Sequence, residues 1–278
     1  MRPRDSGGGP MTRDDRRFLG ALAVLGGGYV LLILALLAAD LFFASPLQLL
    51  KALATPEIRY AIWLTLITAS ASAVLSIAVA VPLGYLLSRR QFPGKRLINA
   101  VLDIPIVLPP LVVGLSLLIL FQTPPGRFFE GHFFQVTYAI PSVILAQVSV
   151  AAAFAVRVLQ AAFDQMTPRT EQVALTLGCT RAQAFFRVVL PESRRAVLAG
   201  FAIAWARSLG EFGPVLVFSG ATRMRTEVLS TTVFLELSVG RLDAAVAVSI
   251  LMIVIAVIVL LLLQQLGKTD AIDQTVRR

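Results

Sequence analysis

One cysteine and one histidine occur in 278 residues, and each scarcity closes a class of chemistry. With Cys179 alone, no intrachain disulfide is possible. With His132 alone, the usual zinc frameworks of histidine and cysteine cannot be assembled. The phosphate-cradling run Gly-x-x-x-x-Gly-Lys-Ser/Thr is missing, so the chain has no loop of its own for ATP. Gly-x-Ser-x-Gly and His-Glu-x-x-His are missing too, which argues against an intramembrane hydrolase. No catalytic residue, metal ligand or cofactor site is assigned. Charge is scarce as well: 15% of residues are charged, against about 25% in a soluble domain.

What the sequence has in abundance is apolar length. Hydrophobic residues make up 57% of the chain, and mean hydropathy is +0.80. Runs near residues 18–43, 60–87, 97–121, 138–163, 197–218 and 242–266 each meet the roughly 20 residues needed to cross a hydrocarbon core. None alternates polar and apolar residues as a barrel strand would. The pattern predicts an all-α membrane protein with six transmembrane helices. The first run is too long for the core of a cleavable signal peptide, and it reads as a span.

The formal charge of +9 would suggest nucleic acid in a soluble domain. Here loop charge sets orientation instead. Arg13, Arg16 and Arg17, then Arg89, Arg90, Lys95 and Arg96, then Arg169, Arg181, Arg187, Arg194 and Arg195, fall at alternate connections and carry much of the basic charge. Both termini are therefore expected in the cytoplasm, in a multi-pass protein of the cytoplasmic membrane with lipid around it and no nucleic-acid partner. The expected divisions are a disordered cytoplasmic segment at 1–17, a transmembrane domain at 18–266 and a cytoplasmic tail at 267–278. Gly26-Gly27-Gly28 in the first span suits either close helix approach or a tolerated flexible spot.

The connection at 164–192 carries helix signals. Thr167-Pro168 reads as an N-cap and first helical residue, opening a short helix through Glu171, Gln172, Val173, Ala174 and Leu177. Gly178 ends it, because glycine accepts the left-handed conformation. Thr180 and Gln183 have capping-box spacing for a second helix, which carries Phe185, Phe186, Val188 and Val189 to Leu190-Pro191. The expectation is a helix-turn-helix knob between spans four and five. Its Val173–Ala174–Leu177 face suits either a partner's groove or packing under its own spans.

Two stretches inside spans also stand out. Asp103-Ile104-Pro105-Ile106-Val107-Leu108-Pro109-Pro110, running on to Gly114, has three prolines that remove backbone donors and bend or break a helix. Trp205-Ala206-Arg207-Ser208-Leu209-Gly210-Glu211-Phe212-Gly213-Pro214 puts Arg207 and Glu211 four residues apart, able to pair on one face of a continuous helix. Pathway or gate lining and purely structural roles are both open for Pro109, Pro110, Gly114, Arg207 and Glu211. Thr65, Thr68, Ser70 and Ser72 are weaker pathway candidates, since such residues more often serve packing.

The knob resembles the EAA loop of ATP-binding-cassette importer permeases: Glu-Ala-Ala, three residues, Gly, nine residues, Ile, one residue, Leu-Pro. Aligned on Gly178, its first three positions are Gln172, Val173 and Ala174, with Glu171 one residue earlier; Val188 replaces the isoleucine, and Leu190-Pro191 match. With the Pro-Pro-x-x-x-Gly and Arg-Ser-Leu-Gly-Glu-Phe-Gly segments in this order, residues 60–266 look like the permeases for molybdate, tungstate and sulfate. The Gly-Glu-Phe-Gly spelling favours molybdate or tungstate, with sulfate or thiosulfate the alternative and a stand-alone secondary transporter less favoured.

The resemblance implies a translocation subunit in the inner membrane of a prokaryote. Glu171, Gln172, Val173, Ala174, Leu177, Gly178, Leu190 and Pro191 would couple it to a separate ATPase subunit, which binds the ATP and Mg. It further implies a second permease copy and an extracytoplasmic binding protein.

Overall fold

The computed structural model describes residues 13–43 and 46–276, and their regular structure is entirely helical. In chain order the elements are α1 (Arg13–Phe43), α2 (Pro46–Ala54), α3 (Pro56–Arg89), α4 (Lys95–Val107), α5 (Pro110–Gln122), α6 (Pro124–His132), α7 (Ile140–Gln165), α8 (Arg169–Thr176) and α9 (Arg181–Ala184). A π turn over Phe185–Val189 then leads to α10 (Leu190–Glu192), α11 (Arg194–Leu209), α12 (Gly213–Ser219), α13 (Leu229–Ser238) and α14 (Leu242–Val276). Four helices, α1, α3, α7 and α14, are each long and apolar enough to cross a membrane. Counting each of the bent pairs α4–α5 and α11–α12 as one span brings the number up to six.

The structure adds detail to several expectations. The N-terminal segment is helical from Arg13, with Asp14 and Asp15 in the first turn, where carboxylates favour the positive end of the helix dipole. The rest of the expected disordered segment, 1–12, lies outside the described residues. The helical backbone of α14 continues through the expected tail as far as Val276. Gly26, Gly27 and Gly28 lie at no close crossing, because a Cβ on any of them would meet nothing within 4 Å. The connections outside the six apolar runs contain three further helices, α2, α6 and α13, which the sequence reading did not assign.

The core is a triad of α3, α7 and α11. Ala69, Ala73 and Ala80 of α3 meet Ala151 and Ala155 of α7 and Ala204 of α11, all buried. Small residues let helix backbones approach, which is how association is driven where lipid removes the hydrophobic incentive. At Gly84 an added Cβ would lie 3.0 Å from Gln160 N. Polar groups bridge the same helices: Ser72 Oγ donates to Gln147 Oε1 at 2.8 Å, and Gln147 Nε2 donates to Ser208 O at 3.1 Å. Trp205 Nε1 donates to Ser70 Oγ at 3.2 Å, and Thr65 Oγ1 accepts from Leu229 N at 2.9 Å. Thr65, Thr68 and Ser72 are buried, so these hydroxyls serve helix packing.

Between α6 and α7, Glu130 Oε1 accepts from Val136 N at 2.9 Å and Thr137 N at 2.6 Å. Partial burial opposes ionisation there, but the donated amide hydrogens outweigh it and hold the carboxyl below its usual range.

Candidate functional site

Two breaks in the membrane helices meet at one point. The first follows from Leu108-Pro109-Pro110. A residue before proline is driven out of the helical region, and Leu108 is extended at φ −66°, ψ 143°. The axis turns by 112° between α4 and α5. The second break follows from Gly210 and from Gly213-Pro214. Helix α11 stops at Leu209, α12 starts at Gly213, and the axes differ by 60°. The break that the prolines within 97–121 announced is thus present, and the run over 197–218, read as one continuous helix, is two helices as well.

The pieces α5 and α12 then pack backbone to backbone. A Cβ on Gly114 would sit 2.7 Å from Pro214 Cα, and one on Gly213 would sit 2.9 Å from Pro110 Cβ. Only glycine fits such a crossing. The Pro-Pro-x-x-x-Gly and Gly-Glu-Phe-Gly-Pro segments, distant in sequence, are two halves of one contact.

Arg207 stands beside this contact, in the last turn of α11. Its guanidinium lies 5.6 Å over the Phe154 ring, and its Nη2 is 3.2 Å from Glu211 Oε2. Glu211 lies beyond the helix end, so the pair joins the last turn of α11 to the break itself. It is a close charge pair without aligned hydrogen-bond geometry. Glu211 is 1% exposed, whereas a third of the Arg207 side chain remains accessible. Ser230 Oγ of α13 donates to Glu211 O at 2.9 Å and ties the break from behind. The arrangement offers one partly neutralised arginine, with donors to spare, beside a bend built from proline and glycine.

The knob is as expected in outline. Helix α8 begins one residue later than Thr167-Pro168 implied, with Pro168 as the flanking residue whose carbonyl accepts from Gln172 N. Gly178 has φ +89°, and the capping box is complete: Thr180 N donates to Gln183 Oε1 at 2.8 Å, and Gln183 N to Thr180 Oγ1 at 3.2 Å. The second helix is not uniform, since Phe185–Val189 is a π turn before Leu190-Pro191.

The proposed coupling residues divide between two faces. Ala174 is buried, while Gln172 is exposed, Val173 is 50% exposed and Leu177 is 80% exposed. Glu171 turns inward: Tyr85 Oη donates to its Oε1, and Arg89 Nε lies 3.7 Å from its Oε2.

Sequence reading missed three groupings. The first is Tyr85 and Arg89 on α3. The second is Arg157 of α7, which binds Asp103 of α4 bidentately, Nε to Oδ1 at 2.6 Å and Nη2 to Oδ2 at 2.6 Å, and also donates to Asn99 Oδ1 at 2.7 Å and Gln160 Oε1 at 2.8 Å. A lone basic and a lone acidic residue near the ends of adjacent spans was the available signal. The third is Glu236, buried between Arg223 at 2.6 Å and Arg241 at 2.8 Å. It belongs to α13, which the sequence did not disclose as a helix.

Comparison with known proteins agrees with this geometry. Residues 80–269 match the family described as binding-protein-dependent transport system inner membrane component. The chain is 34% identical, over 79% of its length and 80% of the relative's, to the sulfate transport system permease protein CysT of Salmonella typhimurium. It is 33% identical, over 69% of its length and 74% of the relative's, to the molybdate/tungstate transport system permease protein WtpB of Pyrococcus abyssi. Its fold is similar, with a TM-score of 0.72, 18% identity and coverage of 93% and 97% of the two chains, to a chain of a bacterial alginate ABC transporter crystallised with a periplasmic protein. Proline-broken spans, a glycine-ended knob and a match across most of the chain therefore agree, and this protein belongs to the binding-protein-dependent transport system inner-membrane component family.

Proposed function

We propose that this chain is the translocation subunit of an ATP-driven importer that carries a tetrahedral oxyanion, molybdate or tungstate, released by an external binding protein. The observation that carries the coupling part is the knob, whose capped turn leaves Leu177 and Val173 exposed. Apolar side chains held out on a rigid turn suit a groove in another subunit. Without a phosphate cradle in the sequence, ATP and Mg fall to that subunit, which the knob engages through Gln172, Val173 and Leu177. Two copies of this chain would complete the machine, and closure of the ATPase pair would rock the spans about the fixed core as rigid bodies.

The oxyanion class rests on relatives named for sulfate and for molybdate/tungstate, and on Arg207. A transported dianion must be held weakly enough to leave. One arginine partly neutralised by Glu211 meets that need better than a cluster of bare cations. Selectivity then resides mainly in the binding protein. The Gly210-Glu211-Phe212-Gly213 spelling favours molybdate, whereas the sulfate relative matches a larger share of the chain and makes sulfate the second reading.

The test is metal-analysed molybdate uptake by cells expressing the chain with its ATPase and binding protein, challenged with excess sulfate. Uptake that survives the sulfate is the expected result. Uptake abolished by sulfate transfers the assignment to sulfate, and no molybdate uptake even without sulfate removes the molybdate reading.

A further inference from the structure

We propose that Tyr85 and Arg89, at the end of α3, are positioning residues that receive the knob's movement through Glu171. This rests on the coupling reading above and names the path by which the movement enters the spans. Glu171 sits in the first turn of α8, and its carboxylate is shielded: the Arg89 and Glu171 side chains are 13% and 15% accessible. Both oxygens face α3, one taking the Tyr85 hydroxyl hydrogen and the other lying near the Arg89 guanidinium. Arg89 also donates through Nη2 to Met166 O, at 3.0 Å, where α7 ends. One guanidinium thus holds the knob and the ends of α3 and α7 together.

The Tyr85 ring completes the junction. It packs at 4.7 Å from Phe185 of the π turn and at 5.8 Å, edge to face, from Phe163 of α7. Both halves of the knob and two core spans therefore converge on this side chain. Beside it opens a groove of about 680 Å³ between the knob and α3, lined by Pro82, Leu86, Arg90, Leu175 and Phe186. Glu171 supplies the polar bridge between α8 and α3 at this groove, beside the Tyr85–Phe185 ring contact, so displacement of α8 bears on α3 through the Glu171 contacts. Helix α3 is continuous for 34 residues and packs along α7 and α11, and α11 carries Arg207. The shielded carboxylate links α8 to α3 by one hydrogen bond from Tyr85 and one close charge contact with Arg89, and the loss of either leaves a partly desolvated group less well paired. Gln172, its neighbour, is exposed and remains available to a partner.

The experiment uses the chain assembled with its ATPase and binding protein in proteoliposomes, measuring ATP hydrolysis, uptake and co-purification of the ATPase. Glu171→Gln is expected to keep the ATPase bound and hydrolysing while uptake per ATP falls about fivefold. Tyr85→Phe, which keeps the ring and removes one hydrogen bond, is expected to give a smaller loss of the same kind. The double variant should be no worse than Glu171→Gln alone, since both remove one link. Unchanged uptake per ATP in Glu171→Gln overturns the proposal, and so does loss of the ATPase, which would place Glu171 on the docking face. Leu177→Glu separates the two layers. If it releases the ATPase while Glu171→Gln behaves as wild type, the coupling reading stands and the relay fails. If it changes nothing, the coupling reading fails and takes the relay with it.

Discussion

Gly114→Ala, which adds one methyl group, is expected to reduce uptake at least about tenfold, because the helix crossing it enters has no room and no side chain that can yield. The new Cβ would lie 2.7 Å from Pro214 Cα, 3.0 Å from Pro214 O and 3.1 Å from Val217 Cβ. Two of these atoms are backbone, so no rotamer change relieves them and α5 must move off α12. Overpacking of this kind costs about 1–3 kcal/mol. A functional effect adds to this stability cost, since α12 begins two residues after Glu211 and its displacement alters the approach of that carboxylate to Arg207. Gly28→Ala, in open space on α1, is the matched control and should behave as wild type. The readouts are uptake at equal expression and thermal stability of the purified chain. Full uptake by Gly114→Ala would mean that the two broken spans do not meet as described.

Gly178→Val is expected to cause a loss of similar size by a different route. Nothing lies within 4 Å of a Cβ at Gly178, but its φ is +89°. The cost is therefore conformational, roughly 1–2 kcal/mol for a side chain in the left-handed region, and higher for a β-branched one. Helix α8 has 8 residues and is too short to hold itself together without its cap. The knob should lose its shape while α3, α7 and α11 stay packed. Gly178→Asn distinguishes this account from any steric one, because asparagine visits the left-handed region. It should keep most of the uptake that Gly178→Val loses. Equal loss in the two variants would show that space, not backbone conformation, limits the turn.

Much of this was legible in the residues, for reasons that differ from place to place. Span positions followed from apolar length, a property averaged over some 20 residues and hard to mistake. The knob followed from Gly178 and the Thr180–Gln183 box, because caps are local chemistry between neighbours in sequence. Proline positions announced a break in the third span, but not its size. The 112° turn depends on where α5 finds its packing partner, and that partner is α12, about a hundred residues away. The expected i,i+4 pairing of Arg207 with Glu211 gave the right contact on the wrong assumption, since the helix ends between them and Glu211 sits within the break.

The remainder was hidden because it is tertiary. Glu171 was grouped with the outward coupling residues on sequence proximity, yet its direction is set by Tyr85 and Arg89. Arg157 and Asp103 carry no sequence motif that links them. Helix α13 has half of its residues buried, Leu229, Ser230, Thr231, Thr232 and Glu236, and its mixed composition carries no apolar run to announce it. Thr65 and Ser72 looked like possible pathway hydroxyls until their partners, Leu229 of α13 and Gln147 of α7, were visible.

The central claim is that the knob seats in a separate ATPase subunit. It is tested most directly by cross-linking from its most exposed apolar residue. A Leu177→Cys chain, with Cys179→Ser so that a single thiol remains, would be labelled with a maleimide photoprobe and irradiated in the assembled complex. The predicted product is an adduct with the ATPase subunit, lost when Gly178→Val is added. Adducts confined to the chain itself or to lipid, in a complex that still hydrolyses ATP and imports its substrate, would contradict the account.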